Sequence, residues 1–188
     1  MKKIILTGFK PFLGADTNPS EIICNHIVDH HLVDLKIIKQ ILPVDFSQAY
    51  LELNKIINEQ DPHYIVMLGV ASGREKINLE KIGLNWNESK KPDENQFIPA
   101  SGPIYKDQLE LALMTRFPVD KLLKSVEDFN YPIEISFSAG TFVCNNLYYK
   151  MLRNHPNIKS VFIHVVDEKK IDINYQIQII QSLIDKIN

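Results

Sequence analysis

Cys144 is the residue of this chain whose surroundings best suit nucleophilic chemistry. It follows a turn of small residues, Ser138-Ala139-Gly140, and precedes apolar residues with helical spacing, so we place it in the first turn of a helix. Unpaired backbone N–H groups and the positive end of the helix dipole favour a thiolate there, and the same groups can stabilise an oxyanion. The alternative is a structural role, because a lone cysteine on a helix is often a small core residue.

A base and a carboxylate stand elsewhere in the chain. His164 lies at the carboxyl end of a predicted strand over residues 160–165, where open sheets place their sites. Glu80 lies in an extended segment after Gly73-Arg74 and could orient an imidazolium in a Cys-His-carboxylate arrangement. Both residues could instead be structural. Their spacing from Cys144 gives the order of the three residues along the chain, but it does not show whether their side chains meet.

Strands and helices that must position these residues alternate along most of the chain. Apolar runs predict strands over residues 2–6, 36–42, 63–68, 133–137 and 160–165. Caps and helical spacing predict helices from Asn18-Pro19 to about His30-His31, from Asp45 to Asp61, over residues 119–130, from about Gly140 and from about Asp172. Such alternation is typical of parallel strands covered on both faces by helices.

The middle of the chain departs from this alternation. Residues 76–86 alternate apolar and polar side chains, which predicts a hairpin or an extended excursion. Residues 87–103 form a long polar stretch with three prolines, and loops of that length are usually functional or mobile.

Composition narrows the function classes. The 188 residues carry 21 Lys and Arg against 23 Asp and Glu, a net charge of −2, without the basic surplus that a nucleic-acid partner requires. No apolar run is long enough to span a membrane, and the N-terminus does not resemble a signal peptide, so we expect a cytoplasmic protein without a membrane partner. Cys24 and Cys144 are then expected to be free thiols.

The chain resembles pyroglutamyl peptidase I, the pyrrolidone-carboxylate peptidase family of cysteine peptidases, over almost its whole length. The matching segments occur in the family's order: Thr7-Gly8-Phe9-Lys10-Pro11-Phe12, Asn18-Pro19-Ser20, Gly73-Arg74, Leu79-Glu80-Lys81-Ile82-Gly83-Leu84-Asn85, Pro92-Asp93, Gly140-Thr141-Phe142-Val143-Cys144-Asn145 and Phe162-Ile163-His164. The cysteine motif is specific, and the order of all the segments together is more specific than any one of them.

This resemblance implies hydrolysis of the bond after an N-terminal pyroglutamyl residue, through a thioester, without a metal or another cofactor. It implies that Cys144 is the nucleophile, His164 the base and Glu80 the orienting carboxylate. With the alternation of elements, it implies one domain over residues 1–188, a three-layer α/β/α sandwich with a mixed, mostly parallel central sheet. The family also implies a homo-oligomer, a tetramer or a dimer, that acts on pyroglutamylated peptides.

Specificity for a flat, uncharged lactam requires a small aromatic pocket. The resemblance assigns Phe9 and Phe12 to the lining of that pocket, and Phe142 and Val143 lie beside the nucleophile in sequence. The structural alternative for the two loop phenylalanines is packing on the core. Asn18 could bind the lactam, or it could simply cap the helix that begins at the next residue.

Four features depart from the family's pattern. The chain is short for the family, chiefly between Asn146 and the last strand and at its C-terminus. Val70 replaces a common glutamine, and Lys90 replaces an arginine in the loop that reads Ser89-Lys90-Lys91-Pro92-Asp93-Glu94-Asn95-Gln96. The family's His-Ile-Pro becomes His164-Val165-Val166, which removes a proline that would stiffen the turn. We still count Val70 and Lys90 among the candidate substrate-binding residues.

Two rival functions follow from these departures. One is a paralogue that binds a pyroglutamyl-like ligand without efficient turnover, and the other is a cysteine hydrolase of a different small lactam or amide. A metal site at His26 and His30 is disfavoured, because no third ligand stands at a telling distance. Gly8 and Gly14 do not have the spacing of a dinucleotide-binding fingerprint.

Overall fold

The computed structural model describes residues 1–29, 35–107 and 109–187. The strands are β1 (Lys2–Phe9), β2 (Leu35–Leu42), β3 (Tyr64–Val70), β4 (Ile77–Glu80), β5 (Ile82–Leu84), β6 (Ala112–Met114), β7 (Ile133–Ser136) and β8 (Lys159–Val165). The helices are α1 (Pro19–His26), α2 (Gln48–Gln60), α3 (Val119–Lys124), α4 (Val143–Asn154) and α5 (Ile173–Asp185), with a 3-10 turn at Glu127–Phe129.

Six of the strands form one sheet in the order β2-β1-β3-β8-β4-β7. The strands β2, β1, β3 and β8 run parallel to one another, β4 runs antiparallel to β8, and β7 runs parallel to β4. The predicted mixed, mostly parallel sheet is therefore confirmed. A separate antiparallel pair joins β5 to β6.

Helices cover both faces of this sheet, which confirms the three-layer architecture. On one face, residues such as Leu6, Val66 and Ile163 pack with α1, α3 and α5. On the other face, alternate residues such as Met67 and Phe162 pack with α2 and α4. Because successive strand residues point to opposite faces, the central strands are buried on both sides and read as continuous apolar runs. Each fully buried aliphatic or aromatic side chain of these layers contributes about 1.5–3 kcal/mol.

Local capping chemistry sets the helix starts that the sequence predicts. Asn18 Oδ1 accepts the N–H of Ser20 at 3.0 Å, with Pro19 in the first helical position. The predicted cap Asp45 lies two residues before Ser47, which occupies the cap position of α2. Asp45 Oδ1 accepts the N–H groups of Ser47 and Gln48, both at 2.6 Å, in the turn that leads into the helix. Asp172 caps α5 through the N–H of Asn174. These side chains satisfy N–H groups that have no partner within the helix.

Two predicted helices end earlier than expected. Helix α1 ends at His26, because Ile27 adopts an extended backbone with ψ 138°, and the predicted end at His30-His31 lies outside the described residues. Helix α3 ends at Lys124, because the hydroxyl of Ser125 donates back to the carbonyl of Leu122 and the chain continues into the 3-10 turn.

The excursion over residues 76–86 is not a hairpin. Its first half, β4, enters the large sheet, and its second half, β5, pairs with β6, a short strand that the sequence did not predict. Lys81 is the point of exchange, because its N–H donates to Ser136 of the large sheet while its carbonyl accepts from Thr115 before α3. Within the described residues, no helix has the length and apolar character needed to cross a bilayer.

Candidate active site

The sheet register lines up Gly69 of β3, His164 of β8 and Asn78 of β4 in one row across three strands. Residues directly opposite each other on paired strands point to the same face, so this row faces the layer formed by α2 and α4. The row lies at the carboxyl ends of β3 and β8, where sites form in open sheets.

Glu80 lies in the neighbouring row, directly opposite Phe162 and diagonal to His164. The two side chains meet, with His164 Nδ1 2.7 Å from Glu80 Oε1. An ionised carboxylate only accepts hydrogen bonds, so Nδ1 carries the proton and Nε2 keeps a lone pair. Both residues are buried, Glu80 completely and His164 at 4% exposure. The arrangement holds an imidazole in the tautomer that a general base requires.

Cys144 occupies the second position of α4, in the first helical turn as predicted. The turn before the helix contains Gly140, whose φ of +80° is readily available only to glycine. A side chain added at Gly69 would place its Cβ 3.0 Å from Cys144 Sγ and 2.8 Å from the ring of Phe162. Since Gly69 is directly opposite His164, the sulfur lies on the same face of the sheet as the imidazole.

Burial favours the neutral form of both reactive groups of this site. Burial raises the pKa of the Cys144 thiol to about 12, and the negative charge of Glu80 acts in the same direction. The residue as a whole is only half-buried, but its sulfur is packed inward against Gly69. Burial also lowers the pKa of His164, against the opposing effect of Glu80. Burial of the sulfur therefore opposes the thiolate that the helix N-terminus favours, so formation of the thiolate requires a base that accepts the thiol proton.

Two side chains that sequence reasoning missed hold Glu80. Arg74 Nη1 donates to Glu80 Oε1 at 2.6 Å, and the hydroxyl of Tyr148 donates to the backbone carbonyl of Glu80 at 2.8 Å. Arg74 belongs to the Gly73-Arg74 motif of the family resemblance, and that motif could have marked it as a site residue. Its contact with Glu80, however, depends on how the chain packs against the sheet. Tyr148 lies one helical turn after Cys144, and that spacing predicts the shared helix face.

The N-terminus of α4 supplies backbone donors beside the sulfur. Phe142, which precedes the helix, makes no side-chain capping hydrogen bond, and its carbonyl accepts the N–H of Asn146. The N–H groups of the first helical turn, including that of Cys144, have no acceptor within the helix. These groups and the helix dipole suit a developing negative charge on oxygen.

An aromatic cluster adjoins the nucleophilic turn. The rings of Phe12 and Phe142 stack with centroids 6.1 Å apart, and Phe46 meets Phe142 edge-on at 5.2 Å. Phe97, from the long loop, meets Phe46 at 6.1 Å. Phe46 and Phe97 were not among the predicted site residues. A cavity of about 460 Å³ beside this cluster is lined by Phe46 and Phe97 together with the side chain of Lys150.

The other aromatic and polar candidates take supporting positions. Phe9 is buried in the core layer under α2 and α4, and Val143 is equally buried. Asn18 caps α1 through Oδ1, and its amide nitrogen donates to the carbonyl of Lys10 at 3.0 Å. The capping alternative for Asn18 therefore describes its contacts, which hold the loop that carries Phe12.

Val70 and Lys90 are not brought to the nucleophile. Val70 packs against the core on the opposite face of the sheet, because it follows Gly69 in a strand whose side chains alternate. Lys90 is exposed on the long loop. That loop is tied to the nucleophilic turn nearby, where Thr141 and Glu88 exchange hydrogen bonds of 2.8 and 3.0 Å.

The remaining candidates within the described residues, Cys24 and His26, make structural contacts. Cys24 is completely buried, and burial raises its pKa to about 12. Both cysteines are free thiols. His26 Nδ1 contacts the carbonyl of Ile22 in its own helix at 2.8 Å, and His30 lies outside the described residues.

Comparison with known proteins gives a consistent set of relatives. The sequence model of a family described as pyroglutamyl peptidase matches residues 2–176. The pyrrolidone-carboxylate peptidase of Thermosipho melanesiensis is 34% identical over 167 residues, which cover 87% of this chain and 82% of the relative. A similar enzyme from Thermococcus litoralis is 33% identical over 170 residues, covering 88% of this chain and 76% of that protein.

Solved structures extend the similarity to the fold. The crystal structure of pyroglutamyl peptidase I from Bacillus amyloliquefaciens matches with a TM-score of 0.88 and 27% identity, over 97% of this chain and 95% of that one. The crystal structure of pyrrolidone carboxyl peptidase from Thermus thermophilus matches with a TM-score of 0.89 and 28% identity, over 98% of this chain and 100% of that one.

Proposed function

Because the chain belongs to the pyroglutamyl peptidase family, we propose that it is a cysteine peptidase that removes an N-terminal pyroglutamyl residue from peptides, with Cys144 as its nucleophile. The observation that carries the assignment is the buried Glu80–His164 pair on the face of the sheet against which Cys144 Sγ packs. A thiol, a base and an orienting carboxylate in this relation are the parts that nucleophilic acyl transfer requires.

Acylation begins with the neutral thiol and the neutral imidazole. His164 Nε2 takes the thiol proton as Cys144 Sγ attacks the carbonyl carbon that links pyroglutamate to the next residue. The carbonyl oxygen becomes an oxyanion, which the N–H groups at the start of α4 stabilise. The intermediate collapses, the C–N bond breaks, and the leaving amine receives the proton from His164. A thioester between Cys144 and the pyroglutamyl group remains.

Deacylation uses the same groups in reverse order. His164 Nε2 takes a proton from water, and the resulting hydroxide attacks the thioester carbonyl. When the C–S bond breaks, the proton returns to the sulfur, and free pyroglutamate leaves with the enzyme restored. Glu80 holds the imidazole in its Nδ1-protonated tautomer and stabilises the imidazolium that forms in each half of the cycle.

The preference for pyroglutamate follows from the aromatic surface beside the nucleophilic turn. Phe12 and Phe142 present stacked rings beside the nucleophilic turn, and a flat lactam fits such a surface. Phe9 and Asn18 support the loop that carries Phe12, and Val143 packs beneath the turn. Val70, on the opposite face of the sheet, and Lys90, exposed on the long loop, have no part in this pocket.

The direct test is release of a fluorogenic amine from its pyroglutamyl conjugate under reducing conditions. We expect turnover by the wild type, none by Cys144→Ala and wild-type turnover by the matched variant Cys24→Ala. The prolyl conjugate, whose ring lacks the lactam carbonyl, is the substrate control. Folded wild-type protein that fails to turn over would contradict the peptidase assignment and favour a binding-only paralogue. Turnover of other lactams or small amides, without turnover of the pyroglutamyl conjugate, would favour a cysteine hydrolase with a different substrate.

Assembly and location complete the proposal. We expect a homo-oligomer, because Leu109, Leu111 and Met114 lie at or beside β6 and expose 96%, 75% and 59% of their surface. Light scattering coupled to gel filtration distinguishes a monomer from a dimer or tetramer. We expect the protein in the cytoplasm, where a reducing environment preserves the thiol that the reaction needs. Fractionation of the source cells checks that location.

A further inference from the structure

The guanidinium of Arg74 donates hydrogen bonds to three residues around the site. Its Nη1 donates to Glu80 Oε1 and to Asn78 Oδ1, both at 2.6 Å, and its Nη2 donates to the backbone carbonyl of Ser138 at 2.8 Å. Ser138 lies in the turn that leads to Cys144, whereas Glu80 and Asn78 lie on β4. One side chain therefore joins the carboxylate behind His164 to the segment that carries the nucleophile.

We propose that Arg74 is a positioning residue that holds Glu80 and the nucleophilic turn in a fixed relation, and that its charge sets the pH range in which Cys144 and His164 react. The proposal rests on the assignment of Cys144, His164 and Glu80 to catalysis. Arg74 itself does not need to touch the substrate. It acts through the carboxylate on one side and through the turn on the other.

The positioning role of Arg74 follows from the small number of hydrogen bonds that hold the Glu80 carboxylate. Glu80 Oε1 accepts from both Arg74 and His164, whereas the buried Oε2 has no hydrogen-bond partner among the described residues. Without the guanidinium, His164 would be the remaining partner of a carboxylate that is meant to orient it. A planar guanidinium reaches several acceptors in fixed directions, which an ammonium group cannot do.

Arg74 is itself held in place by the edge of the sheet. Asn78 accepts from it through Oδ1 and donates through Nδ2 to Glu134 Oε1 at 2.9 Å. Glu134 in turn pairs with Lys76 at 3.3 Å. The guanidinium is partly open to solvent, with 29% of its side chain exposed, whereas Glu80 is completely buried. The exposed side faces a shallow cavity lined by Ser136 and Ser138.

The effect of Arg74 on the pH range follows from the position of its positive charge beside the imidazole of His164. Arg74 Nη1 and His164 Nδ1 share one oxygen of Glu80, so a positive charge lies close to the imidazole. Among the described residues, the charged groups that act on His164 are Glu80 from β4 and Arg74 from the preceding connection, and the thiol of Cys144 from α4 lies on the same face of the sheet. A nearby cation disfavours the imidazolium and favours the thiolate, and it lowers the pKa of both His164 and Cys144. Its removal is expected to raise both values.

The test measures the rate at which iodoacetamide alkylates Cys144 at each pH from 6 to 10, where the thiolate is a minor form whose amount sets the rate, with mass spectrometry to identify the alkylated peptide. This readout needs no pyroglutamyl substrate, so it stands even if the proposed activity fails. In Arg74→Met we expect the alkylation rate to fall about tenfold at each pH, because loss of the charge raises the pKa of the thiol and lowers the thiolate fraction. We expect kcat/KM on the fluorogenic substrate to fall by between about tenfold and a hundredfold.

Arg74→Lys separates the two parts, because it keeps the charge and loses the guanidinium geometry. We expect an alkylation rate close to that of the wild type together with a reduced kcat. Lys170→Met is the matched control, since it removes a cation that pairs with the exposed Glu75 outside this network. We expect its alkylation rate and its kcat/KM to equal those of the wild type.

Thermal unfolding of each variant establishes that it is folded. Folded Arg74→Met with an alkylation rate and a kcat/KM equal to those of Lys170→Met would overturn the proposal, and so would a faster alkylation. If Arg74→Met does not fold, Arg74→Lys decides the matter. Wild-type kcat in that variant would overturn the positional part, and an alkylation rate about tenfold below that of the wild type would overturn the electrostatic part.

Discussion

Glu80 and His164 meet across the antiparallel pair of β4 and β8, as diagonal neighbours whose Oε1 and Nδ1 lie 2.7 Å apart. Both residues belong to strands in the middle of a covered sheet, so backbone hydrogen bonds on both sides hold them. Side chains on such elements keep their geometry more closely than side chains on loops. The nucleophile is added from outside the sheet, at the start of α4, where packing against Gly69 determines its depth.

Replacement of the carboxylate tests its orienting role. We expect Glu80→Gln to lower kcat by about a hundredfold or more, because a carboxamide neither selects the tautomer of His164 nor stabilises the imidazolium. Steady-state kinetics on the fluorogenic substrate measure the effect. The matched control is Glu75→Gln, an exposed residue whose partner is Lys170, and it should retain wild-type kcat. Equal activity in the two variants would remove Glu80 from the mechanism.

A methyl group at Gly69 tests the packing of the sulfur. We expect Gly69→Ala to lower kcat/KM at least tenfold and to lower the unfolding temperature, because the new Cβ would lie 3.0 Å from Cys144 Sγ and 2.8 Å from Phe162. Gly73→Ala is the control, since a Cβ added there meets no atom of the described residues within 4 Å apart from its chain neighbours. Kinetics and thermal unfolding of both variants distinguish a local clash from a general intolerance of alanine.

Truncation of the stacked rings tests the pocket. We expect Phe12→Ala and Phe142→Ala to raise KM for the pyroglutamyl substrate by about tenfold, with a smaller effect on kcat, because each removes a ring that binds the lactam face. Phe129→Ala removes an exposed ring that stacks on Tyr131 and serves as the control. Unchanged KM values in the first two variants would favour the alternative in which these rings only pack on the core.

The pH dependence of kcat/KM tests the protonation state of His164. Burial lowers its pKa below the ordinary value of 6.5, so the neutral base persists on the acid side and activity should fall to half only below pH 6.5. Since Glu80 raises this pKa, Glu80→Gln should move the acid limb to still lower pH in whatever activity remains. An acid limb above pH 6.5 in the wild type would show that the imidazolium is favoured, contrary to the buried geometry.

The local sequence correctly predicted features that depend on contacts between residues close together in the chain. Asn18 and Asp172 occupy the predicted cap positions, and Cys144 lies in the first turn of its helix, whereas the cap position of α2 is Ser47 and not Asp45. It failed where a distant partner decides the outcome. The chain exchanges sheets at Lys81 because Ser136 and Thr115 supply the partners, and neither contact can be read from residues 76–86 alone.

The order of residues along the chain identifies the family, predicts the alternation of strands and helices, and names the residue types available for chemistry. Which of these residues meet depends on the packing of the fold. Strand register sets Glu80 against His164 and brings Arg74 to both Glu80 and Ser138. Because side chains alternate along β3, Val70 points to the face of the sheet opposite to that of Gly69. The physical reason is that spacing along a chain specifies a face within one element, whereas distance between elements depends on pairing and packing across the whole fold.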